Sequence, residues 1–160
     1  MNKKMILAWL NHHKLTLGSV ESLTGGMFAS SAVDIPGASS TFKGGLVTYS
    51  KDVKTKLAGV SKETINTYGV VSSKVAIEMA QGGQKQIEVD YCLSFTGNAG
   101  PGTQDNKPVG DVYIALTIKD SCIVEHYSLE GSRNDIRKAA VQKGWNMLER
   151  VIKEQKDNYL

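Results

Sequence analysis

Apolar residues recur at helical spacing at the start of the chain: Met5, Ile6, Trp9 and Leu10 share one face of a helix predicted from about Asn2 to Lys14. The pattern then becomes a short apolar run, Leu15 to Val20, which reads as a first strand leading into a helix from Gly25 to about Asp34. Met27, Phe28, Ser31 and Ala32 suit that helix to close packing, and Pro36-Gly37-Ala38-Ser39-Ser40 ends it in a loop. Phe42 to Tyr49 reads as a second strand, in which Gly44 and Gly45 mark a bulge or a close backbone approach. Two short helices follow, Lys51 to Leu57 and Ser61 to Tyr68, the latter opened by a capping serine and an acidic first turn. A longer helix starts near Ser72 or Ser73 and carries Val75, Ile77, Met79 and Ala80 toward Ile87. Tyr91 to Phe95 is a buried strand, Thr96 to Pro108 a long loop, and Val112 to Ile118 and Cys122 to Leu129 are β runs whose link is short enough for an antiparallel hairpin. The last helix begins close to Ser132, with Ile136, Ala140, Val141, Trp145, Leu148 and Ile152 on its apolar face.

Strands alternating with helices predict an α/β fold: a three-layer α/β/α domain with a mainly parallel mixed sheet and one antiparallel strand from the hairpin. At 160 residues without a repeat or long linker, a single domain over 1–160 is expected. The 41% hydrophobic and 22% charged residues are ordinary for a globular protein. Nineteen basic and 16 acidic residues are interspersed, and a net charge of +3 offers no dense basic stripe for nucleic acid. Cys92 and Cys122 lie in apolar runs and read as reduced core thiols, while the three histidines lack metal-ligand spacing, so neither a metal nor another cofactor is expected. The N-terminal apolar stretch is short and has no small-residue cleavage site, and no segment approaches a membrane span. A cytoplasmic protein without a membrane partner is expected.

The chemistry concentrates at two junctions where an apolar strand runs into a glycine turn. Glu21-Ser22-Leu23-Thr24-Gly25-Gly26 puts a hydroxyl just before a helix, where free N–H groups and two glycines allow close approach of a substrate. Thr96-Gly97-Asn98-Ala99-Gly100-Pro101-Gly102 repeats the arrangement, which implies one shared cleft. Serine needs a base, and His12, His13 and His126 have no supporting motif around them. Lys54, one helical turn beyond Tyr49, is the better candidate, because a desolvated lysine has a lowered pKa and accepts a proton. From spacing alone, Lys51, Lys54 and Lys56 read more readily as a solvated helix face. Gly131-Ser132-Arg133 opens the last helix, where Ser132 would cap and Arg133 would reach an anion or decorate the surface.

These segments, with Pro36-Gly37-Ala38-Ser39-Ser40 to Tyr49-Ser50, Gly69-Val70-Val71-Ser72 and Lys107-Pro108-Val109-Gly110, resemble the CinA C-terminal domain family in unbroken order from about Leu15 to Ala140. The chain looks like the stand-alone nicotinamide-nucleotide amidohydrolase form of that family. The resemblance implies hydrolysis of nicotinamide mononucleotide, a small pyridine nucleotide, to nicotinate mononucleotide and ammonia by a homodimer without a cofactor. It carries the catalytic serine onto Ser22, the lysine base onto Lys54 and the assisting tyrosine onto Tyr49. Substrate binding falls to Thr24, Gly25, Gly26, Thr96, Gly97, Asn98, Gly100 and Arg133. Two positions depart from the family pattern: Leu23 replaces the usual cysteine, and Asn98 the usual aliphatic residue. The rival reading is a catalytically silent nucleotide-binding or regulatory domain, against which the presence of both Ser22 and Lys54 weighs.

Overall fold

The computed structural model describes residues 1–157, so residues 158–160 of the domain expected over 1–160 lie outside the described residues. Five strands, β1 (Leu17–Glu21), β2 (Phe42–Val47), β3 (Tyr91–Gly97), β4 (Asp111–Ile118) and β5 (Ser121–Ser128), form one sheet in the order β2-β1-β3-β4-β5. β1 pairs in parallel with both β2 and β3, whereas β4 is antiparallel to β3 and to β5. β4 alone therefore runs against the others, as the hairpin expectation had it. The helices are α1 (Lys3–His12), α2 (Met27–Val33), α3 (Lys51–Ala58), α4 (Lys62–Tyr68), α5 (Ser73–Ile87) and α6 (Arg133–Asp157).

The side-chain period of two along the strands divides the core into two layers. Leu17, Leu93, Phe95, Ile114 and Leu116 pack with Ile6 and Leu10 of α1, Phe28 of α2, and Ile136, Trp145 and Leu148 of α6. Val20 and Cys92 face the other way, onto Ala58, Ile65, Val75 and Met79 from α3, α4 and α5. With helices on both faces, β1 is buried at every position, which is why its sequence shows no alternation.

Boundaries differ from the sequence expectation where backbone pairing overrides composition. β2 stops at Val47 and β3 continues to Gly97, because β4 supplies a ladder partner as far as Val112. The register slips between Leu17 and Gly18, leaving Lys43 as the extra residue beside Gly44, while a Cβ on Gly45 would come within 2.6 Å of Ser19 Oγ. Both readings of that glycine pair therefore apply. α2 begins at Met27, after Gly25 and Gly26 at φ of +56° and +98°. A single 3-10 turn, Ala38–Ser40, lies in the expected loop.

Gly82 and Gly83 inside α5 position the helix that carries Lys54. A Cβ on Gly82 would lie 1.5 Å from Ala58 O at the end of α3, and one on Gly83 would lie 2.2 Å from Val20 Cγ2 of β1. Each glycine costs the isolated helix about 1 kcal/mol relative to alanine, which the resulting close seating of α5 on both neighbours offsets.

β1, β2 and β3 all point their carboxyl ends at one edge of the sheet. The chain passes from β1 to β2 on one side and later returns to β3 on the other, so connections diverge at β1. Crevices form at such a point because the loops leave in opposite directions.

Candidate active site

Ser22 follows the carboxyl end of β1, its N–H donating to Phe95 O at 3.0 Å. Lys54 lies in the first half of α3, whose start is set by Ser50, the N-cap that accepts the Val53 N–H. Although α3 has an exposed face, Lys54 points inward and is 2% exposed. Its Nζ lies 3.0 Å from Ser22 Oγ, 2.8 Å from Thr48 O and 3.2 Å from Tyr49 O. The alternative of a solvated lysine face thus applies to Lys51 and Lys56, both exposed, and not to Lys54.

The two carbonyls orient the amine. A neutral amine has two N–H donors and one lone pair, and carbonyl oxygens only accept. When both N–H groups donate to Thr48 O and Tyr49 O, the lone pair is left for the Ser22 hydroxyl. Burial lowers the Lys54 pKa to about 8, with the Asp105 carboxylate acting in the opposite direction. Near neutral pH a usable fraction of this lysine is therefore a base already hydrogen-bonded to a serine.

The turn carrying Ser22 is held from two sides. Glu21, 1% exposed, accepts from Phe28 N at 2.8 Å, Ala29 N at 3.1 Å and Ser19 Oγ at 3.1 Å. Sequence reasoning expected free N–H groups at this helix start, but the Glu21 carboxylate occupies those of Phe28 and Ala29. The backbone N–H groups of Leu23, Thr24 and Gly26 remain without an acceptor among the described residues. From α6, Arg137 donates to Leu23 O at 2.8 Å and Thr24 O at 3.3 Å.

The second glycine junction forms the opposite wall, and a cleft of about 300 Å³ lies between them, lined among others by Ser22, Leu23, Tyr49, Asn98, Gly100 and Arg133. Asn98 is buried and uses its side chain to brace the wall, donating to Gln104 O and Lys107 O and accepting from Gln104 N. Arg133 donates to Gly100 O at 2.7 Å and to the Tyr49 hydroxyl at 3.1 Å, and so spans the mouth. No carboxylate pairs with its guanidinium among the described residues.

The structure thus brings together Ser22, Lys54, Tyr49, Gly97, Asn98, Gly100 and Arg133. Tyr49 meets Lys54 through its carbonyl, while its phenol is exposed beside Arg133. Thr24, Gly25 and Gly26 shape the turn behind Ser22, and the buried hydroxyls of Thr24 and Thr48 have no hydrogen-bond partner among the described residues. Thr96 donates its hydroxyl to Val70 O at 2.7 Å. Sequence reasoning passed over Glu21 and Arg137. A carboxylate ending a buried strand before a glycine turn, and an arginine four residues beyond Arg133 on the same helical face, were the available signals.

The family model for the CinA C-terminal domain matches residues 2–152. A competence-damage inducible protein of Bacillus pumilus is 43% identical over 145 residues, covering 91% of this chain and 35% of that protein. One from Pediococcus pentosaceus is 46% identical over 141 residues, covering 87% and 34%. The chain therefore spans about a third of the length of these relatives. Among solved structures, a competence-damaged protein (CinA) superfamily protein from Escherichia coli superposes with a TM-score of 0.90 at 29% identity, over 93% of this chain and 87% of that one. The competence/damage inducible protein CihA of Agrobacterium tumefaciens gives 0.89 at 32% identity, over 92% of each chain.

Proposed function

The chain belongs to the CinA C-terminal domain family, and from that premise we propose that it is an amidohydrolase converting nicotinamide mononucleotide to nicotinate mononucleotide and ammonia. The observation that carries this reading is the Ser22 Oγ to Lys54 Nζ contact of 3.0 Å, with the amine buried and its other partners both carbonyls. Ser22 attacks the carboxamide carbon while Lys54 takes the serine proton. The developing oxyanion is met by N–H groups of the turn after Ser22, where those of Leu23, Thr24 and Gly26 have no acceptor among the described residues. Protonated Lys54 then delivers its proton to the departing ammonia, and water attacks the acyl ester with Lys54 again as base. The pyridinium ring withdraws electrons from the amide and makes its carbon easier to attack. The proposal includes a cytoplasmic homodimer acting on a free nucleotide, with no bound cofactor.

Release of ammonia from nicotinamide mononucleotide, its riboside and free nicotinamide tests the reaction. No release from any of the three would leave the rival, a silent nucleotide-binding domain, in its place. Because the neutral form of Lys54 is the base, kcat/KM is expected to rise with pH and level off above about 8. A profile flat from pH 6 to 9 would remove Lys54 as the titrating base.

Arg133 is the cation at the mouth, and its present acceptors, Gly100 O and the Tyr49 hydroxyl, are both neutral. A substrate phosphate would outcompete either. Such a charge-assisted contact is worth about 1.5–3 kcal/mol, or roughly ten- to a hundredfold in binding. The mononucleotide is therefore expected to be preferred over the riboside, and Arg133→Ala to narrow the preference by that factor. Equal specificity constants for the two compounds in the unmodified enzyme would refute the phosphate assignment alone.

A further inference from the structure

The wall loop, which lines the cleft through Gln104, is fastened to the turn before α5. Val71 N–H donates to Asp105 Oδ2 at 2.8 Å, and Lys107 Nζ donates to Val71 O, so two loop residues grip both polar groups of one residue. The carboxylate rests on bare backbone, since a Cβ on Gly69 would lie 2.5 Å from Asp105 Cγ. Asp105 and Asn106 both take positive φ, +59° and +55°, a region that L residues seldom adopt twice in succession. The loop is bent there in the conformation that delivers the carboxylate to Val71.

Val71 belongs to the cluster that supports the base. Val70 and Val71 pack with Ala58 and Val60, and Val60 N donates to Lys54 O at 3.2 Å. Every direct partner of Lys54 Nζ is uncharged. Of the surrounding charges, Lys51, Asp52 and Lys56 are exposed on α3, Glu78 of α5 accepts the Ser61 N–H at the start of α4, Glu21 is turned to the start of α2, Arg133 lies across the mouth, and Lys107 holds Val71 O. Asp105 remains as the carboxylate that acts on Lys54 from the wall.

We infer that Asp105 is a positioning residue for the site: it clasps the cleft wall to the turn before α5 and serves as countercharge to the Lys54 amine. The second role rests on the catalytic reading of Ser22 and Lys54, for which it would set the pH range of the base. Asp105 favours the charged amine against the effect of burial. Without it Lys54 should lose its proton at lower pH.

Asp105→Asn and Asp105→Ala separate the two roles, because an asparagine oxygen still accepts from Val71 N–H but carries no charge. Lys54 is titrated by NMR of lysine side chains labelled with carbon-13, its signal identified by its loss in Lys54→Arg. Hydrogen exchange is followed at the Val71 and Gln104 amides. Both variants are expected to titrate Lys54 at lower pH. Asp105→Ala should exchange those amides roughly ten- to a hundredfold faster, as loss of a charge-assisted bond implies, while Asp105→Asn stays near the wild-type rate. An unmoved or raised Lys54 midpoint in Asp105→Asn overturns the countercharge, and wild-type exchange in Asp105→Ala overturns the clasp. Neither measurement depends on turnover, so a protein that released no ammonia would defeat the amidase reading and still give both answers.

Discussion

Ser22→Ala is expected to lower turnover by a factor on the order of 10⁴ or more, the scale seen when an activated nucleophile is removed from a site whose members act as a unit. The fold should hardly change. Ser22 sits in a turn whose position is set by backbone and neighbouring groups, namely the Ser22 N–H on Phe95 O and the Arg137 bonds to Leu23 O and Thr24 O. The substitution removes one of three partners of Lys54 Nζ and leaves the two carbonyls in place, so stability should shift by about 1 kcal/mol or less. Ammonia release and thermal melting, measured on the same preparation, check both halves. Substantial turnover by the alanine protein would dismiss Ser22 as nucleophile, and loss of the folded state would show that the hydroxyl supports the structure.

The second large effect is at Lys54 and has opposite signs for activity and stability. Lys54→Arg and Lys54→Met should both be inactive, since a guanidinium keeps its proton and a thioether has no basic nitrogen. Lys51→Ala and Lys56→Ala should be mild, as both residues are exposed. For stability, burial lowers the folded-state pKa from 10.5 to about 8. Below about pH 8 both folded and unfolded chains hold the proton, and the folded one bears the full burial cost, about 3 kcal/mol. Between about 8 and 10.5 the unfolded chain holds more protons, so wild-type stability rises with pH across that window. Lys54→Met carries no such charge. Its melting temperature relative to wild type should be highest at neutral pH and fall steadily toward pH 10.5. A difference that stays constant across this range would show that burial does not oppose the charge.

Much of this site was legible in the sequence because its parts sit at changes of pattern. Ser22 follows a continuous apolar run and Gly97 lies in the glycine turn after another, and the stop of such a run at polar and glycine residues marks a strand-to-loop junction even without alternation. The direction in which Lys54 points was not legible. Lysines at 51, 54 and 56 look alike on a helix, and Lys54 is distinguished only by the carbonyls of Thr48 and Tyr49, which tertiary packing brings to it. Asn98 shows the converse. The family resemblance implies substrate contact for Asn98, which does line the cleft, but the bracing of its amide on Gln104 and Lys107 depends on partners that only the folded loop supplies. Glu21 was hidden for a related reason, since its function as an anchor for α2 depends on the angle at which Gly25 and Gly26 turn the chain.

The glycine pair in α5 has a consequence for how the chain acquires its chemistry. Ser22 and Lys54 are 32 residues apart and belong to segments with no direct pairing. They are brought into register by a third segment, through Gly82 on Ala58 and Gly83 on Val20. A nascent chain that has formed its early strands but not docked this helix holds a serine at ordinary reactivity and a lysine at ordinary basicity. On the proposed mechanism, the serine–lysine contact is thus a product of completed tertiary assembly, and a chain without this helix docked would lack it.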